Sequence, residues 1–360
     1  MAQKIRVMVV DDSIMFRSWL IKSLQEDQRF EVIGYAVNAL DARDKLPVLK
    51  PDIMTLDIEM PGMTGLQFLK EVLPTHPLPI ILVSSLNVQV FDALAAGAVD
   101  FVRKPESEPG ARDRFIRTLC SKLAIGKNAR PRIPSHDPAA MYNKAKAASG
   151  DNISPTGGPG LHAAHPAPAP AHLPVMAAHP NVDVIAIGAS TGGTEAILEV
   201  VRHFPAKMPG IVITQHMPAG FTSMYAERLN RICALEVREA KHGDKIQPGL
   251  VLLAPGGLQM RVVRMGSGYA VSCSDGEKVS GHKPSVDVLF DSVAATVKSR
   301  AIGVILTGMG ADGAAGMLRM KRAGAYTIGQ DRESCVVYGM PMEAFKIGAV
   351  CMQAPLNSIH

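Results

Sequence analysis

The chain has 360 residues, of which 47% are hydrophobic and 20% are charged, and its formal net charge is +5. This hydrophobic content is enough to bury two domain-sized cores. The charge excess is too small to argue for nucleic-acid binding, and the sequence has no helix-turn-helix or zinc-finger spacing.

The apolar run near the amino terminus is short and stops at two aspartates, so it does not resemble a signal peptide. No uninterrupted apolar stretch is long enough to span a bilayer. The five cysteines are scattered and form no C-x-x-C pair, which is typical of reduced thiols. These features predict a cytoplasmic protein.

Residues 5–123 show a regular alternation of apolar β-branched runs and helical patterns, which predicts a doubly wound five-stranded parallel α/β sheet. The predicted strands are Ile5–Val10, Glu31–Ala36, Asp52–Leu56, Ile80–Val83 and Phe101–Val102, and the predicted helices are Ile14–Gln25, Ala39–Leu46, Leu66–Leu73, Val90–Ala96 and Arg114–Leu123. In such a sheet the working site lies beyond the carboxyl ends of the strands.

Polar residues stand at four of those strand ends: Asp11 and Asp12, then Asp57, Ser84 and Lys104. Clustered carboxylates repel one another unless a hard cation such as Mg²⁺ lies among them. One aspartate can then attack a phosphoryl donor, and a lysine and a serine can bind the new phosphoryl oxygens. Singly, each residue is also explained as a helix cap or a solvated charge, but their joint placement at the strand ends favours the site.

This segment resembles the receiver domain of two-component response regulators over its whole length. The matching motifs are Val9-Val-Asp-Asp-Ser13, Leu56-Asp-Ile-Glu-Met-Pro-Gly62, Val83-Ser-Ser85 and Asp100-Phe-Val-Arg-Lys-Pro105. The resemblance implies that Asp57 is the phosphorylated residue, with a histidine kinase as the phosphodonor. It also implies that Mg²⁺ is bound by Asp11, Asp12, Asp57 and the backbone carbonyl of Glu59.

The same resemblance assigns roles to residues after the fourth and fifth strands. Ser84 and Lys104 are expected to sense the phosphoryl group, and Phe101 is expected to change rotamer on activation. A cis peptide bond between Lys104 and Pro105 is also implied.

Residues 126–180 are rich in proline, alanine and histidine and have no apolar periodicity, which predicts an extended or disordered linker. The predicted organisation is therefore a receiver domain over 4–123, a linker over 126–180 and a second α/β domain over 181–358.

The second domain again shows alternating strand and helix patterns, with a strand-rich extension in the middle. The predicted elements are strand Val182–Ile187, helix Glu195–Arg202, strand Ile211–Thr214, helix Thr222–Arg231, strands Leu250–Ala254, Met260–Met265 and Tyr269–Cys273, helix Val286–Lys298, strand Ala301–Leu306, helix Ala314–Ala323, strand Tyr326–Gly329 and a short helix near Met342–Ile347.

Three strands of this domain are followed by chemically useful residues: Ser190, His216 and Asp312. Gly188-Ala-Ser-Thr-Gly192 fits the G-x-S-x-G pattern, in which a sharp strand-to-helix turn exposes a nucleophilic serine. A neutral imidazole can accept the serine proton, and a carboxylate can orient that imidazole. The order Ser, His, Asp differs from that of ordinary α/β-hydrolases, so a different fold is expected.

Other interpretations remain open at this point. Ser190 could only cap a helix, or its glycine-rich turn could bind a phosphate, although the spacing is not G-x-G-x-x-G. His203 and His242 are possible bases that look surface-placed, and His282 is a better rival base. Asp331 is the rival carboxylate, because Asp312 by itself most often caps a helix.

The second domain also resembles the catalytic domain of the chemotaxis protein-glutamate methylesterases, over residues 181–356. The matching motifs are Ile187-Gly-Ala-Ser-Thr-Gly-Gly-Thr194, Gln215-His-Met-Pro218, Ala254-Pro-Gly-Gly257, His282-Lys-Pro-Ser285 and Thr307-Gly-Met-Gly-Ala-Asp-Gly313. The resemblance assigns Ser190 as nucleophile, His216 as base and Asp312 as orienting acid. It places the backbone N–H of Met309 in the oxyanion hole.

The expected activity is phosphorylation-activated hydrolysis of glutamate methyl esters on chemotaxis receptors, with deamidation of receptor glutamines, and without a cofactor for the esterase chemistry. The chain is expected to act as a monomer. The alternatives are a DNA-binding response regulator, which the absence of a recognition-helix motif disfavours, a nucleotide-binding domain and an esterase for small soluble esters.

Overall fold

The amino-terminal half folds around a five-stranded sheet in the order β2-β1-β3-β4-β5, with every neighbouring pair parallel. Its elements are β1 (Ile5–Val10), α1 (Ile14–Gln25), β2 (Phe30–Ala36), α2 (Ala39–Leu49), β3 (Ile53–Leu56), α3 (Gly65–Val72), β4 (Ile80–Ser84), α4 (Gln89–Ala95), β5 (Asp100–Arg103) and α5 (Ala111–Gly126). The predicted alternation is confirmed, and β1 and α1 have the predicted bounds. The strand order reverses between β1 and β3, which is where such sheets carry their sites.

Local sequence signals start the helices of this half. Ser13, Asn38 and Thr64 each accept a backbone N–H at the start of α1, α2 and α3, and Thr64 forms a capping box with Gln67. These caps follow the strands β1, β2 and β3, so each chain reversal occurs at the carboxyl edge of the sheet. The carboxylates that follow β1 and β3 are therefore held close to that edge.

The carboxyl-terminal half folds around a seven-stranded sheet in the order β15-β14-β13-β6-β7-β10-β8, and all of its pairings are parallel. Its strands are β6 (Val184–Ala189), β7 (Gly210–Gln215), β8 (Glu236–Glu239), β10 (Leu250–Leu253), β13 (Ala301–Ile305), β14 (Tyr326–Gln330) and β15 (Met352–Ala354). Its helices are α6 (Gly193–Val201), α7 (Phe221–Ile232), α8 (Val286–Thr296), α9 (Ala314–Arg322) and α10 (Met340–Lys346). The strand β6 is central and fully buried.

The predicted strand-rich extension divides between two sheets. Strand β10 joins the parallel sheet, while β9 (Lys245–Ile246), β11 (Gln259–Met265) and β12 (Gly268–Ser274) form a separate antiparallel sheet. Strands β8 and β15 were not predicted. Both lie at edges of the parallel sheet, and β8 has a single apolar side chain, Val237, among charged neighbours. Edge strands need few apolar residues, because they are partly exposed.

The cis bond predicted at Lys104–Pro105 is wrong. Among the described residues the cis peptide bond joins Lys283 to Pro284, and the Lys104–Pro105 bond is trans. The trans isomer of an X–Pro bond is favoured by about 0.5–1 kcal/mol. Lys104 reaches both Asp11 and Asp57 from this trans backbone.

The computed structural model describes residues 3–85, 89–131 and 182–360. The predicted linker over 126–180 lies outside the described residues from residue 132 onward. Residues 3–131 and 182–360 belong to one compact unit, and a continuous core contains side chains of both, including Phe91, Phe101, Phe221 and Tyr225. Within the described part of the chain, no helix is both long and apolar enough to cross a membrane.

Candidate functional site

The three residues predicted to form a catalytic triad meet at the carboxyl edge of the parallel sheet. Ser190 follows β6, His216 follows the adjacent β7, and Asp312 lies between β13 and α9 on the other side of β6. His216 Nδ1 is 3.1 Å from Ser190 Oγ, and His216 Nε2 is 2.7 Å from Asp312 Oδ2. The His216 and Asp312 side chains are buried, at 7% and 1% exposure. The imidazole therefore bridges the hydroxyl and the carboxylate.

Two glycines allow the backbone to turn this tightly around Ser190. Gly192 has φ 76°, in the left-handed region, and a Cβ there would lie 2.6 Å from Val336 Cβ. Gly308 approaches from the neighbouring loop, where a Cβ would lie 2.8 Å from Ser190 Cβ. A hydrogen bond from Ser190 N to Thr307 O, 3.0 Å, fixes the distance between the two loops. The close approach holds the serine on its exposed turn.

Asp312 is held by four hydrogen-bond donors. Oδ1 accepts from Ser285 Oγ at 2.7 Å and from Asp287 N at 3.0 Å, while Oδ2 accepts from Val286 N at 2.8 Å in addition to His216. Burial raises the pKa of Asp312, but the hydrogen bonds and charge of His216 and the bond from Ser285 outweigh it and lower the pKa to about 2. The carboxylate therefore stays ionised at neutral pH.

Ser285 and the first turn of α8 are the part of this site that the residue patterns did not assign. Ser285 is the N-cap of α8 and also accepts a hydrogen bond from Val288 N. A serine before a predicted helix signals a cap, and that signal was present in the sequence. Nothing in the local sequence indicated that the same hydroxyl donates to Asp312, 27 residues away.

Of the rival triad members, Asp331, His203 and His242 lie outside the site, whereas His282 lies inside it. Asp331 accepts hydrogen bonds from N and Oγ of Ser334, at 2.9 and 2.5 Å, and caps its own loop. His203 packs against His360, and His242 is exposed near Ser272. His282 lies in the site, with its ring stacked on that of His216 at a centroid distance of 3.6 Å.

A cavity of about 430 Å³ opens onto Ser190 and His216. Met309, the predicted oxyanion donor, also lines this cavity. Residues of the amino-terminal half line the same cavity, among them Phe101 and Lys122. Access to Ser190 is thus shaped by both halves of the chain.

Direct contacts join the two halves beside this cavity. Thr191 Oγ1, next to Ser190, donates to Asp100 Oδ2 at 2.5 Å, and Lys122 Nζ donates to Asp100 Oδ1 at 2.6 Å. The ring of Phe101 lies 4.6 Å from that of Phe221, centroid to centroid. Phe101 is therefore buried between the halves, with 4% exposure.

The acidic residues predicted to form a metal site lie together at the edge of the first sheet. Carboxylate oxygens of Asp11, Asp12 and Asp57 all lie within 4.8 Å of one another. Lys104 Nζ is 2.6 Å from Asp57 Oδ2 and 2.8 Å from Asp11 Oδ2, and Glu59 N donates to Asp57 Oδ1 at 3.1 Å. Burial raises the pKa of Asp57 despite the opposing effect of Lys104. Three oxygen ligands in one cluster, two of them buried and that of Asp12 exposed, fit a hard divalent cation.

Ser84 lies at the end of β4 with 1% exposure, and its Oγ has no hydrogen-bond partner among the described residues. A buried hydroxyl without a partner is unusual, because its desolvation is not compensated. This orphaned donor is consistent with the predicted role of Ser84 in binding a phosphoryl oxygen.

Each half of the chain matches the model of a known protein family. Residues 185–360 match the family model for the CheB methylesterase, and residues 7–114 match that for the response regulator receiver domain. A "Protein-glutamate methylesterase/protein-glutamine glutaminase 2" of Syntrophomonas wolfei is 47% identical over 99% of this chain and 96% of its own. The chain belongs to the CheB methylesterase family. A protein-glutamate methylesterase/protein-glutamine glutaminase of Syntrophotalea carbinolica is also 47% identical, over 100% of this chain and 96% of its own.

Among solved structures, the CheB methylesterase catalytic domain of Thermotoga maritima is 35% identical, covers 49% of this chain and 95% of its own, and has a TM-score of 0.49. The two family models and the full-length relatives confirm both resemblances seen in the sequence at the level of the family. The residue roles remain predictions, which the geometry above supports.

Proposed function

We propose that this CheB-family protein hydrolyses glutamate methyl esters on chemotaxis receptors and deamidates receptor glutamines. The observation that carries the proposal is the hydrogen-bonded chain from Ser190 Oγ through His216 to Asp312 at the mouth of a cavity. The printed names of the full-length relatives support this choice of substrate. The domain boundaries 4–123, 126–180 and 181–358 are part of the proposal, as are the cytoplasmic location and the monomeric state.

In the proposed reaction, Ser190 Oγ attacks the ester carbonyl carbon while His216 Nδ1 takes the hydroxyl proton. Asp312 accepts the hydrogen bond from Nε2–H and stabilises the imidazolium. The oxyanion of the tetrahedral intermediate is bound by the Met309 N–H, a kind of contact worth on the order of 3 kcal/mol. The intermediate collapses, and His216 returns the proton to the departing methoxide, which leaves as methanol.

Water then attacks the acyl-enzyme with His216 again as the base, which releases the glutamate carboxyl group and restores the Ser190 hydroxyl. A glutamine side chain follows the same steps with ammonia as the leaving group. Ester and amide both react through a tetrahedral intermediate, so the same three side chains serve both reactions. No metal or organic group takes part in this proposed sequence.

The test is methanol release from methylated receptor membranes by the wild type and by Ser190→Ala, each with and without acetyl phosphate. We expect the substitution to reduce release by about 10⁴-fold or more, since the nucleophile is lost. Ser358→Ala, an exposed serine in the same half, is the control and should behave as wild type. Release that survives Ser190→Ala would overturn the assignment.

For the amino-terminal half we propose phosphorylation of Asp57 by a chemotaxis histidine kinase. Asp11, Asp12, Asp57 and the Glu59 carbonyl would hold Mg²⁺, which supplies positive charge for the transferred phosphoryl group. The acidic cluster supports this ligand set. Lys104 would pair with one phosphoryl oxygen and Ser84 would donate a hydrogen bond to another, for which its unpartnered hydroxyl is suited.

We also propose that the unphosphorylated receiver restrains the esterase. Its residues line the cavity at Ser190, and Asp100 binds Thr191 beside the nucleophile. Lys104 and Phe101 lie on or next to β5, the strand that also carries Asp100. A change at Asp57 that draws Lys104 towards a phosphoryl group would act on this strand, loosen the contact and open the cavity.

A further inference from the structure

His282 makes the closest ring contact in the active site, although the reaction above does not use it. Its ring is nearly parallel to that of His216, with an interplanar angle of 9° and a centroid distance of 3.6 Å. It also lines the cavity that contains Ser190. The contact covers one face of the imidazole whose two nitrogens engage Ser190 and Asp312.

The backbone that carries His282 is fixed from both sides. His282 and Val279 exchange hydrogen bonds between N and O, at 2.9 and 3.1 Å, across a turn in which Ser280 and Gly281 have positive φ. The buried side chain of Gln259 on β11 donates to His282 O at 3.2 Å and accepts from Ser285 N at 2.9 Å. Gln259 therefore ties the loop of His282 to the residue that holds Asp312.

We propose that His282 is a positioning residue for the general base. Its stacked ring holds the His216 imidazole in the plane that joins Ser190 to Asp312, and it presents an uncharged π face to the imidazolium formed during the reaction. The inference rests on the proposed function, because it needs His216 as the base. It adds a group that acts on the reaction through the orientation of His216.

Two physical effects support this role. A stacked ring opposes rotation of the imidazole about its Cβ–Cγ bond, and such rotation would break both of the hydrogen bonds of His216. An aromatic face also attracts a cation placed over it, with greater effect where water is excluded. His216 is buried, so both effects act on it at the moment it carries charge.

The second effect requires His282 to be neutral when His216 is charged. The pKa of His282 is lowered to about 4, chiefly by burial and the charge of His216, with Asp312 acting in the opposite direction and Lys122 and Lys278 contributing to the lowering. Because a proton on His282 is lost well below neutral pH, the stacked ring is uncharged under working conditions. Only Lys122, among these charged neighbours, comes from the receiver half.

The experiment compares His282→Phe, which keeps a flat ring, with His282→Leu, which fills the space without one. The full-length chain is assayed for methanol release from methylated receptors with acetyl phosphate and Mg²⁺ present. Surface residue His242→Leu serves as the matched control. We expect kcat of His282→Leu to fall on the order of ten-fold with KM little changed, while His282→Phe stays within about three-fold of wild type.

The pH profile separates positioning from a merely structural role. Loss of the π face makes the His216 imidazolium less stable, so the acid limb of kcat/KM in His282→Leu should move to lower pH by about half a unit. His282→Phe should keep the limb of the wild type. A loss of folding would reduce activity at every pH without moving the limb, and thermal unfolding of each variant checks this directly.

The outcomes against the inference are distinct from those against the proposed function. Wild-type activity in His282→Leu, or equal losses in the Phe and Leu variants with an unmoved acid limb, overturns the positioning role. Near-abolition of activity in both variants also overturns it and makes His282 itself the base. Methanol release that does not depend on Ser190 defeats the proposed function, and the positioning role falls with it.

Discussion

Two buried aspartates at the carboxyl edges of parallel sheets, Asp57 and Asp312, have opposite electrostatic environments. Asp57 lies beside two further carboxylates, with Lys104 and one backbone N–H as its donors, and its pKa is raised, chiefly by burial. Asp312 has four donors, and its pKa is lowered to about 2. Two aspartates at the carboxyl edges of parallel sheets thus differ in the direction in which their pKa is shifted.

The number of hydrogen-bond donors to each carboxylate explains why Asp57 and Asp312 are suited to different roles. A carboxylate whose lone pairs are all occupied by fixed donors is a poor nucleophile and a good orienting group. A carboxylate surrounded by other acids retains oxygen atoms for a cation and for a phosphoryl group. The comparison predicts that removing charge from each aspartate disables a different step of the protein's activity.

The largest effect is expected for Asp312→Asn. Without the carboxylate the imidazole is held in the wrong tautomer, so kcat should fall by about 10⁴-fold, with or without acetyl phosphate. Methanol release under both conditions measures it. A variant that retained more than a tenth of the wild-type rate would show that Asp312 does not orient the base.

Asp312→Asn should also change how the free energy of unfolding depends on pH. Because the pKa of Asp312 is about 2 in the folded chain and 3.8 for the free side chain, the ionised group stabilises the fold above pH 4. That contribution, on the order of 2 kcal/mol, is lost as the pH falls from about 4 towards 2. The difference in unfolding free energy between wild type and Asp312→Asn should therefore shrink between pH 5 and pH 2 in urea titrations.

Asp57→Asn should abolish activation by phosphorylation and leave ester hydrolysis itself intact. We expect basal methanol release within about two-fold of wild type and no stimulation by acetyl phosphate, since no acyl phosphate can form. Comparison of stimulated and basal rates measures the effect, with exposed Asp44→Asn on α2 as the matched control. Stimulation equal to that of wild type would contradict the assignment of the phosphorylated residue.

Ser285→Ala tests whether the hydrogen bond from the Ser285 hydroxyl to Asp312 contributes to catalysis. Loss of one donor and of the cap of α8 should lower kcat about ten-fold and stability by about 1 kcal/mol. Asn38→Ala removes the cap of α2, far from the triad, and should lose similar stability while keeping kcat. If both variants kept kcat, the hydroxyl would serve only the helix.

The smallest effect is expected for Asp100→Asn, which weakens the contact between the two halves. Thr191 would lose a charged acceptor and Lys122 its ion pair, so basal release should rise about five-fold, with the fully stimulated rate unchanged. Asp113→Asn, exposed on α5, is the control. An unchanged basal rate would show that this hydrogen bond does not restrain the esterase.

The sequence alone determined the class of the fold and the residues at the strand ends. Apolar β-branched runs followed by helical patterns are local features, and parallel sheets place their carboxyl ends at one edge. Asp11, Asp57, Ser190 and His216 were therefore assigned correctly to two sheet edges. The edge strand β8 was missed, because one apolar residue among charged neighbours gives too little local signal.

Only the tertiary structure decided how those residues are surrounded. Asp312 and Asp331 both follow strands, and the pattern left Asp331 open as a rival. Of the two, only Asp312 lies where the first turn of α8 and His216 can donate to it. The stacking of His282 on His216 and the bond from Thr191 to Asp100 also join residues distant in sequence. Such contacts depend on how packed elements meet in space, and local periodicity contains no information about that arrangement.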